Sequence, residues 1–331
     1  MKRNDPRLPG LAGDAHAEKV VDLEAHVPDN TKRAYATADI AFEEFCEHHG
    51  YRVFPAAPSA CIEFMKAQRK AGADLPRLKQ LRAAIRRKHR KHDQADPCKS
   101  GAFLEAWKGI LADPELHAQT PTLAVLYDGI EAVVAAMAAE ERELRGPNAS
   151  PARRLALARD RALILTLFFG ALWRSELIGV SIQDVKFFTD EICARVQASK
   201  WREPREVVLR ARRDALCPVA AIGTWMREGE LGNEGPLFRG IDQYGHIGGR
   251  LDAKSVYSIW ARRAGLAGLS VNLFPLRALR EGAIIEASLQ GATTKEIVKA
   301  LGLSRMAVPL LEARITRAKQ EIKRRGRGLF V

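Results

Sequence analysis

The residues of this chain best suited to chemistry are cations. Arg77, Lys79, Arg82, Arg86, Arg87, Lys88, Arg90 and Lys91 place eight positive charges in fifteen residues, with no acid among them. Leu78, Leu81 and Ile85 fall on one face at helical spacing, so the segment can pack as a helix while its other faces stay cationic. A helix that is merely solvated usually mixes signs to relieve like-charge repulsion. An unmixed row suits the neutralisation of nucleic-acid phosphates.

Four smaller features add to this. Arg277 and Arg280, three residues apart, have the spacing of a bidentate phosphate clamp, or of salt bridges to Glu281 and Glu286. Lys200, in Ala-Ser-Lys-Trp-Arg-Glu, sits at the turn of an expected hairpin, where it can enter a groove or stay solvated. Thr293–Val308 has the order of a helix-turn-helix, with a glycine for the turn, although Pro309 is awkward for a long second helix. Near the end, Arg314, Arg317, Lys319, Lys323, Arg324, Arg325 and Arg327 stand against Glu321 alone. The last residues, Gly328-Leu329-Phe330-Val331, are apolar and suited to docking on a neighbouring subunit.

Other chemistries find no support. There is no Ser/His/Asp arrangement, HExxH, phosphate loop or dinucleotide fingerprint. Only His246 of the eight histidines lies beyond residue 117, so the second half has almost no imidazole for acid–base work. Cys46, Cys61, Cys98, Cys193 and Cys217 are odd in number and form no CxxC pair. That argues against a disulfide framework or metal ribbon and for buried reduced thiols. No metal and no cofactor is expected.

The elements that must position these residues divide in two. At ~100–200 residues per domain, 331 residues predict about two domains. The net charge of +13 favours polyanionic partners. No apolar run approaches the ~18 residues of a membrane span, and the first ten residues lack the apolar core of a secretory signal. A cytoplasmic, nucleoid-associated protein is expected. Residues 1–28 read as a flexible arm. Helices over 32–49, about 58–72, 75–92 and about 103–111 predict a helical domain over 29–113, followed by a linker over 114–122. A second domain spans 123–311. It begins with helices over 123–145 and 153–169, then strands at 191–196, 205–209 and a third piece at 236–238. Helices at 218–228, 253–264, 276–289, 294–301 and 308–325 complete the pattern, with 312–331 as a basic tail. The fold class is mainly α with one small β-sheet.

In this order the pieces resemble the tyrosine recombinase (phage integrase, Xer-like) family over about residues 28–315. NTKRAYATADIAFEEFCEHHG and LPRLKQLRAAIRRKHRKH look like its helical, SAM-like core-binding domain. RDRALILTLFFGALWRSELIGVSIQDV looks like the start of its catalytic domain, in a segment that normally reads Gly-x-x-Arg-x-Ser-Glu-Leu. CPVAAIGTWM, GPLFRGIDQYGHIGGRLDAKSV and LRALREGAIIEASLQGATTKEIVKALGL continue in the family order.

The resemblance implies a C-shaped clamp of two domains around double-stranded DNA. It also implies cleavage by a tyrosine that forms a 3′-phosphotyrosine, assisted by two arginines, a lysine and histidine or tryptophan partners. Residue by residue, the roles are mostly unfilled. The first arginine falls on Trp173, with Arg174 one residue out of register, and one residue on a helix turns a side chain by ~100°. The lysine falls on Lys200. The histidine of the His-x-x-Arg box falls on Arg277 and its arginine on Arg280. The later histidine falls on Leu303 and the nucleophile near Glu312, and there is no tyrosine after Tyr257. Two of six roles remain, Lys200 and Arg280, so strand exchange is not expected.

The DNA-gripping residues implied are Arg77, Lys79, Arg82, Arg86, Arg87, Arg90 and Lys91 on the basic helix, with Arg174, Lys200, Arg277 and Arg280 in the second domain. The tail is expected to join protomers into a homo-oligomer on DNA. The expected function is sequence-specific DNA binding without catalysis, as a transcriptional regulator, a repressor, of a phage or mobile element. The alternatives are an architectural, partition or recombination-accessory protein, an active recombinase with a partner's tyrosine or another nucleophile such as Ser304, and a stand-alone helix-turn-helix factor.

Overall fold

The first helix, α1 (Asp29–His49), buries Ala38, Phe42 and Cys46, which recur every four residues along one face. It starts slightly before the expected Asn30–Thr31 boundary. The computed structural model describes residues 29–117, 122–146, 150–197 and 204–325. The chain divides into two compact units, Met1–Gln119 and Thr120–Val331.

In the first unit, α2 (Pro58–Lys70) carries proline in its first turn, where the missing N–H costs nothing. Phe64 of α2 meets Phe42 edge-on, with ring centroids 5.1 Å apart. The basic segment forms α3 (Leu75–Lys91). Asp74 caps it by accepting the Arg77 N–H at 2.9 Å, and Leu78, Leu81, Ala84, Ile85 and His89 form its buried seam. After a 3-10 turn at Pro97–Lys99, Ser100 caps α4 (Gly101–Leu111), which buries Phe103 and Trp107. Part of the expected linker is ordered as a short helix, α5 (Pro114–His117), and residues 118–121 lie outside the described segments.

The second unit differs from expectation at its start. The helix expected over 123–145 begins only at Tyr127, as α6 (Tyr127–Glu143). Residues 123–126 are not helical. Leu123 N–H donates to the Leu273 carbonyl at 2.8 Å and Val125 N–H to the Ala278 carbonyl at 3.0 Å, so tertiary backbone bonds replace the first helical turn. Next comes α7 (Pro151–Phe169), with Ala162–Phe168 entirely buried, then the short α8 (Arg174–Gly179).

Strands β1 (Val185–Phe187), β2 (Glu191–Val196) and β3 (Arg205–Arg210) form one antiparallel sheet in that order, with Cys193 opposite Val208. The third strand was expected at 236–238 and lies instead at 185–187, on the far side of β2. Pro236 makes only an isolated bridge to Ser181, because proline brings no N–H to a ladder. A second sheet, absent from the sequence reading, is the hairpin β4 (Arg239–Ile241) and β5 (Ile247–Arg250). Gly245, at φ +97°, makes the turn possible.

Helices α9 (Pro218–Glu228), α10 (Ala253–Leu266), α11 (Arg277–Leu289), α12 (Thr294–Ala300) and α13 (Val308–Arg325) complete the unit. Trp225 and Trp260 are fully buried, and their indole N–H groups donate to the Leu237 and Phe274 carbonyls, each at 2.8 Å. Asp160 is fully buried and accepts from Arg159, Arg262 and Arg263 on α7 and α10, so its charge is compensated.

The expected basic tail is helical through Arg325 and packs on its own unit. Leu311 and Ile315 join Ile297, Val298 and Leu301 in a small core, Arg314 pairs with Glu281 at 2.7 Å, and Lys319 donates to the Ser288 carbonyl at 3.0 Å. Pro309 does not hinder this helix, since it stands in the first turn. Residues 326–331 lie outside the described segments. All five cysteines are buried and free. Among the described residues, no helix is long and apolar enough to cross a membrane.

Candidate nucleic-acid interface

The cations of α3 are not equivalent. Lys79, Arg86 and Arg90 are exposed and, with the small Ala83, follow one ridge at spacings of four, three and four. Lys91 is exposed farther round the same helix. The flanks are committed to the unit itself. On one side, the Arg82 guanidinium lies 5.5 Å from the Phe103 ring centroid and 5.1 Å from that of Trp107, with its Nε buried and unbonded. On the other, Arg87 covers the Tyr35 ring at 5.3 Å and Lys88 pairs with Glu43 at 2.5 Å. Burial pushes the nearby Asp39 carboxyl above its usual range, against the pull of Lys88 and Arg87. Arg77 donates to Gln80 at 3.1 Å. Arg82 thus packs within the unit, its guanidinium beside two aromatic rings.

In the second unit, α8, β3 and α11 bring Trp173, Glu176, Arg205 and Arg280 together. The Glu176 carboxylate accepts the Trp173 backbone N–H at 2.7 Å and one Arg205 amino group at 3.3 Å, and Arg280 lies 3.8 Å away. Arg205 also donates to the Ala300 carbonyl at 3.1 Å, tying β3 to α12. Arg280 donates to the Ala171 carbonyl, and the Trp173 ring lies 4.9 Å from its guanidinium. Arg280 is 5% exposed whereas Trp173 is 41% exposed, so the indole forms the outer layer of the cluster. One terminal amino group of Arg280 thus faces the Ala171 carbonyl and the Glu176 carboxylate, with the indole stacked on the guanidinium.

The remaining candidates scatter. Arg174 and Arg277 are exposed, and Arg277 donates to Thr122 at 3.2 Å. Leu303 is half-buried against the α12–α13 core, and Glu312 is exposed on α13. Neither supplies an imidazole or a phenol. Tyr244, on the β4–β5 hairpin, and Tyr257, on α10, are exposed. Lys200 lies outside the described residues. Among the described residues, no group of three or more His, Cys, Asp or Glu could hold a metal ion.

Sequence reasoning missed Arg205, read only as a strand residue. Its burial depends on α8 and α12, far away in the chain. The one local hint was an arginine opening an otherwise β-branched strand, where a solvated end was the simpler reading.

No family model matches the chain. It is 26% identical over 280 residues to an integrase/recombinase XerD homolog of Selenomonas ruminantium, a match covering 78% of this chain and 74% of that protein. Solved structures share its architecture. The XerH site-specific recombinase, in a post-cleavage complex with a palindromic difH substrate, matches with a TM-score of 0.57 and 16% identity, over 88% of this chain and 78% of that one. The Tn1549 transposon integrase, in complex with transposon right-end DNA, matches at 0.55 and 13%, over 93% and 97%. A lambda integrase dimer bound to a COC′ core site matches at 0.51 and 13%, over 94% and 95%. The mainly helical fold with small sheets is thus the fold of these solved recombinases, and in sequence the chain is similar to an integrase/recombinase XerD homolog.

Proposed function

We propose that the chain binds double-stranded DNA in a sequence-specific manner on a tyrosine-recombinase fold that no longer cleaves it, and that it acts as a transcriptional regulator, a repressor, of a phage or other mobile element. The Trp173–Arg280 stack carries this reading. The resemblance puts an arginine at position 173, and an indole there covers Arg280 at 4.9 Å. Transition-state stabilisation of a pentavalent phosphorus needs open, preorganised donors, whereas Arg280 is buried, with one amino group on the Ala171 carbonyl and its guanidinium under the Trp173 indole. Covalent catalysis also needs a nucleophile; Glu312 stands at the position implied for it, and no tyrosine follows Tyr257.

DNA binding is supported by the exposed cations of α3, by the charge of +13 and by the DNA complexes of the related recombinases. Assembly through the last residues belongs to the same proposal. Regulation follows by analogy with enzyme folds kept for binding alone. The test is immunoprecipitation of the protein with its DNA at native expression. A few sharp peaks over promoters, its own included, are expected. Peaks confined to attachment-like junctions or tandem repeats would overturn the regulatory role in favour of accessory or architectural work.

A further inference from the structure

Arg86 differs from the other cations of its ridge. Its Nε–H donates to Asp96 Oδ2 at 2.7 Å, and Asp96 is itself fixed, because its Oδ1 accepts the Cys98 N–H at 3.0 Å as the cap of the 3-10 turn. Pro97 and Cys98, which follow it, are buried, so the carboxylate stands on a rigid base. The Asp96 side chain is 15% exposed and that of Arg86 43% exposed. A guanidinium held through Nε has its plane and direction set, while its terminal amino groups stay available as a pair of parallel donors.

Two consequences follow from this geometry. The pair is electrically neutral, so Arg86 is a poorer phosphate anchor than Lys79 or Arg90 on the same ridge. An oriented pair of donors instead matches the two adjacent acceptors, O6 and N7, that guanine presents in the major groove. Ala83, one turn before Arg86, is small and lets the ridge approach a groove floor closely.

Resting on the proposed DNA-binding function, we propose that Arg86, buttressed by Asp96, reads one guanine of the target site, and that Lys79 and Arg90 position the helix on the flanking phosphates. Arg86 determines specificity, and Asp96 is a positioning residue acting through it.

The experiment selects binding sites from a randomised duplex pool with the full-length protein, then with Arg86→Ala and Asp96→Asn. Asparagine keeps the oxygen that caps Cys98, and Arg86 is exposed, so both variants should fold; their thermal transitions check this. The wild type should select a site with one strongly preferred guanine. Replacing that base by 7-deazaguanine, which lacks the N7 acceptor, should weaken wild-type binding by about tenfold. The same replacement should leave Arg86→Ala unaffected. Asp96→Asn should lose most of the preference at that base while binding unrelated duplexes at least as tightly, since a negative charge has gone. Unchanged preference in both variants would overturn the assignment of Arg86 and leave DNA binding standing. No duplex binding by the wild type would overturn the parent reading and this one together.

Discussion

Gly282 and Arg82 show how single residues carry the account. A Cβ built on Gly282 would stand 1.5 Å from the Val125 carbonyl oxygen, so α11 and the extended segment before α6 can meet only at a glycine. Gly282→Ala should destabilise the protein by at least about 1–3 kcal/mol, read as a lowered urea midpoint with an unchanged slope; an unchanged midpoint would contradict the packing. Arg82→Ala should remove the guanidinium from Phe103 and Trp107, costing about 0.5–2 kcal/mol, without changing how DNA affinity depends on salt. A salt slope shallower by about 0.9 would return Arg82 to the phosphate contacts. The thiols are a third case. The contact with Cys98, then burial, pushes Cys61 far above the ordinary thiol range, and burial raises Cys46 as well. The native protein should therefore be slow to react at both with an aromatic disulfide reagent at pH 8, and unfolding should release them; rapid native labelling of either would contradict their burial.

At the scale of elements, α3 is the part whose chemistry composition alone revealed. Its seam of Leu78, Leu81 and Ile85 and its cations were legible because helical period and charge are local properties. Which cations remain for a ligand was not legible. That depends on Phe103, Trp107 and Asp96 on one flank and Tyr35 and Glu43 on the other, and only tertiary packing brings them alongside. Lys79→Ala and Arg90→Ala should each make the dependence of log affinity on log salt shallower by about 0.9, nearly alike for all sequences. An unchanged slope would place the phosphate contacts on another face.

The same division explains the sheets. β2 and β3 were legible from their β-branched runs. β1 has only three residues, and the β4–β5 hairpin is held by glycines and a pairing that no short window of sequence reveals. Segment 123–126 was misread because its apolar residues fit a helix as well as a strand, and the partners at Leu273 and Ala278 lie about 150 residues away.

For the whole molecule, the solved recombinases share the architecture, and this chain is proposed to use it to bind DNA without cleaving it. The cluster of Trp173, Glu176, Arg205 and Arg280 was only partly legible. The substitution at 173 could be read from its place before Ser175-Glu176-Leu177, but the closure of Arg280 by the indole needed the fold. The most direct measurement uses a nicked suicide duplex carrying a site recovered from the protein's own genomic peaks, in which cleavage would trap a covalent product. The full-length protein should shift this duplex in native gels at low salt, release it as salt rises, and leave no protein-linked DNA strand under denaturing conditions. A denaturant-stable 3′-linked protein–DNA species would contradict the account at its centre, because it would mean that a nucleophile and an open phosphate site exist.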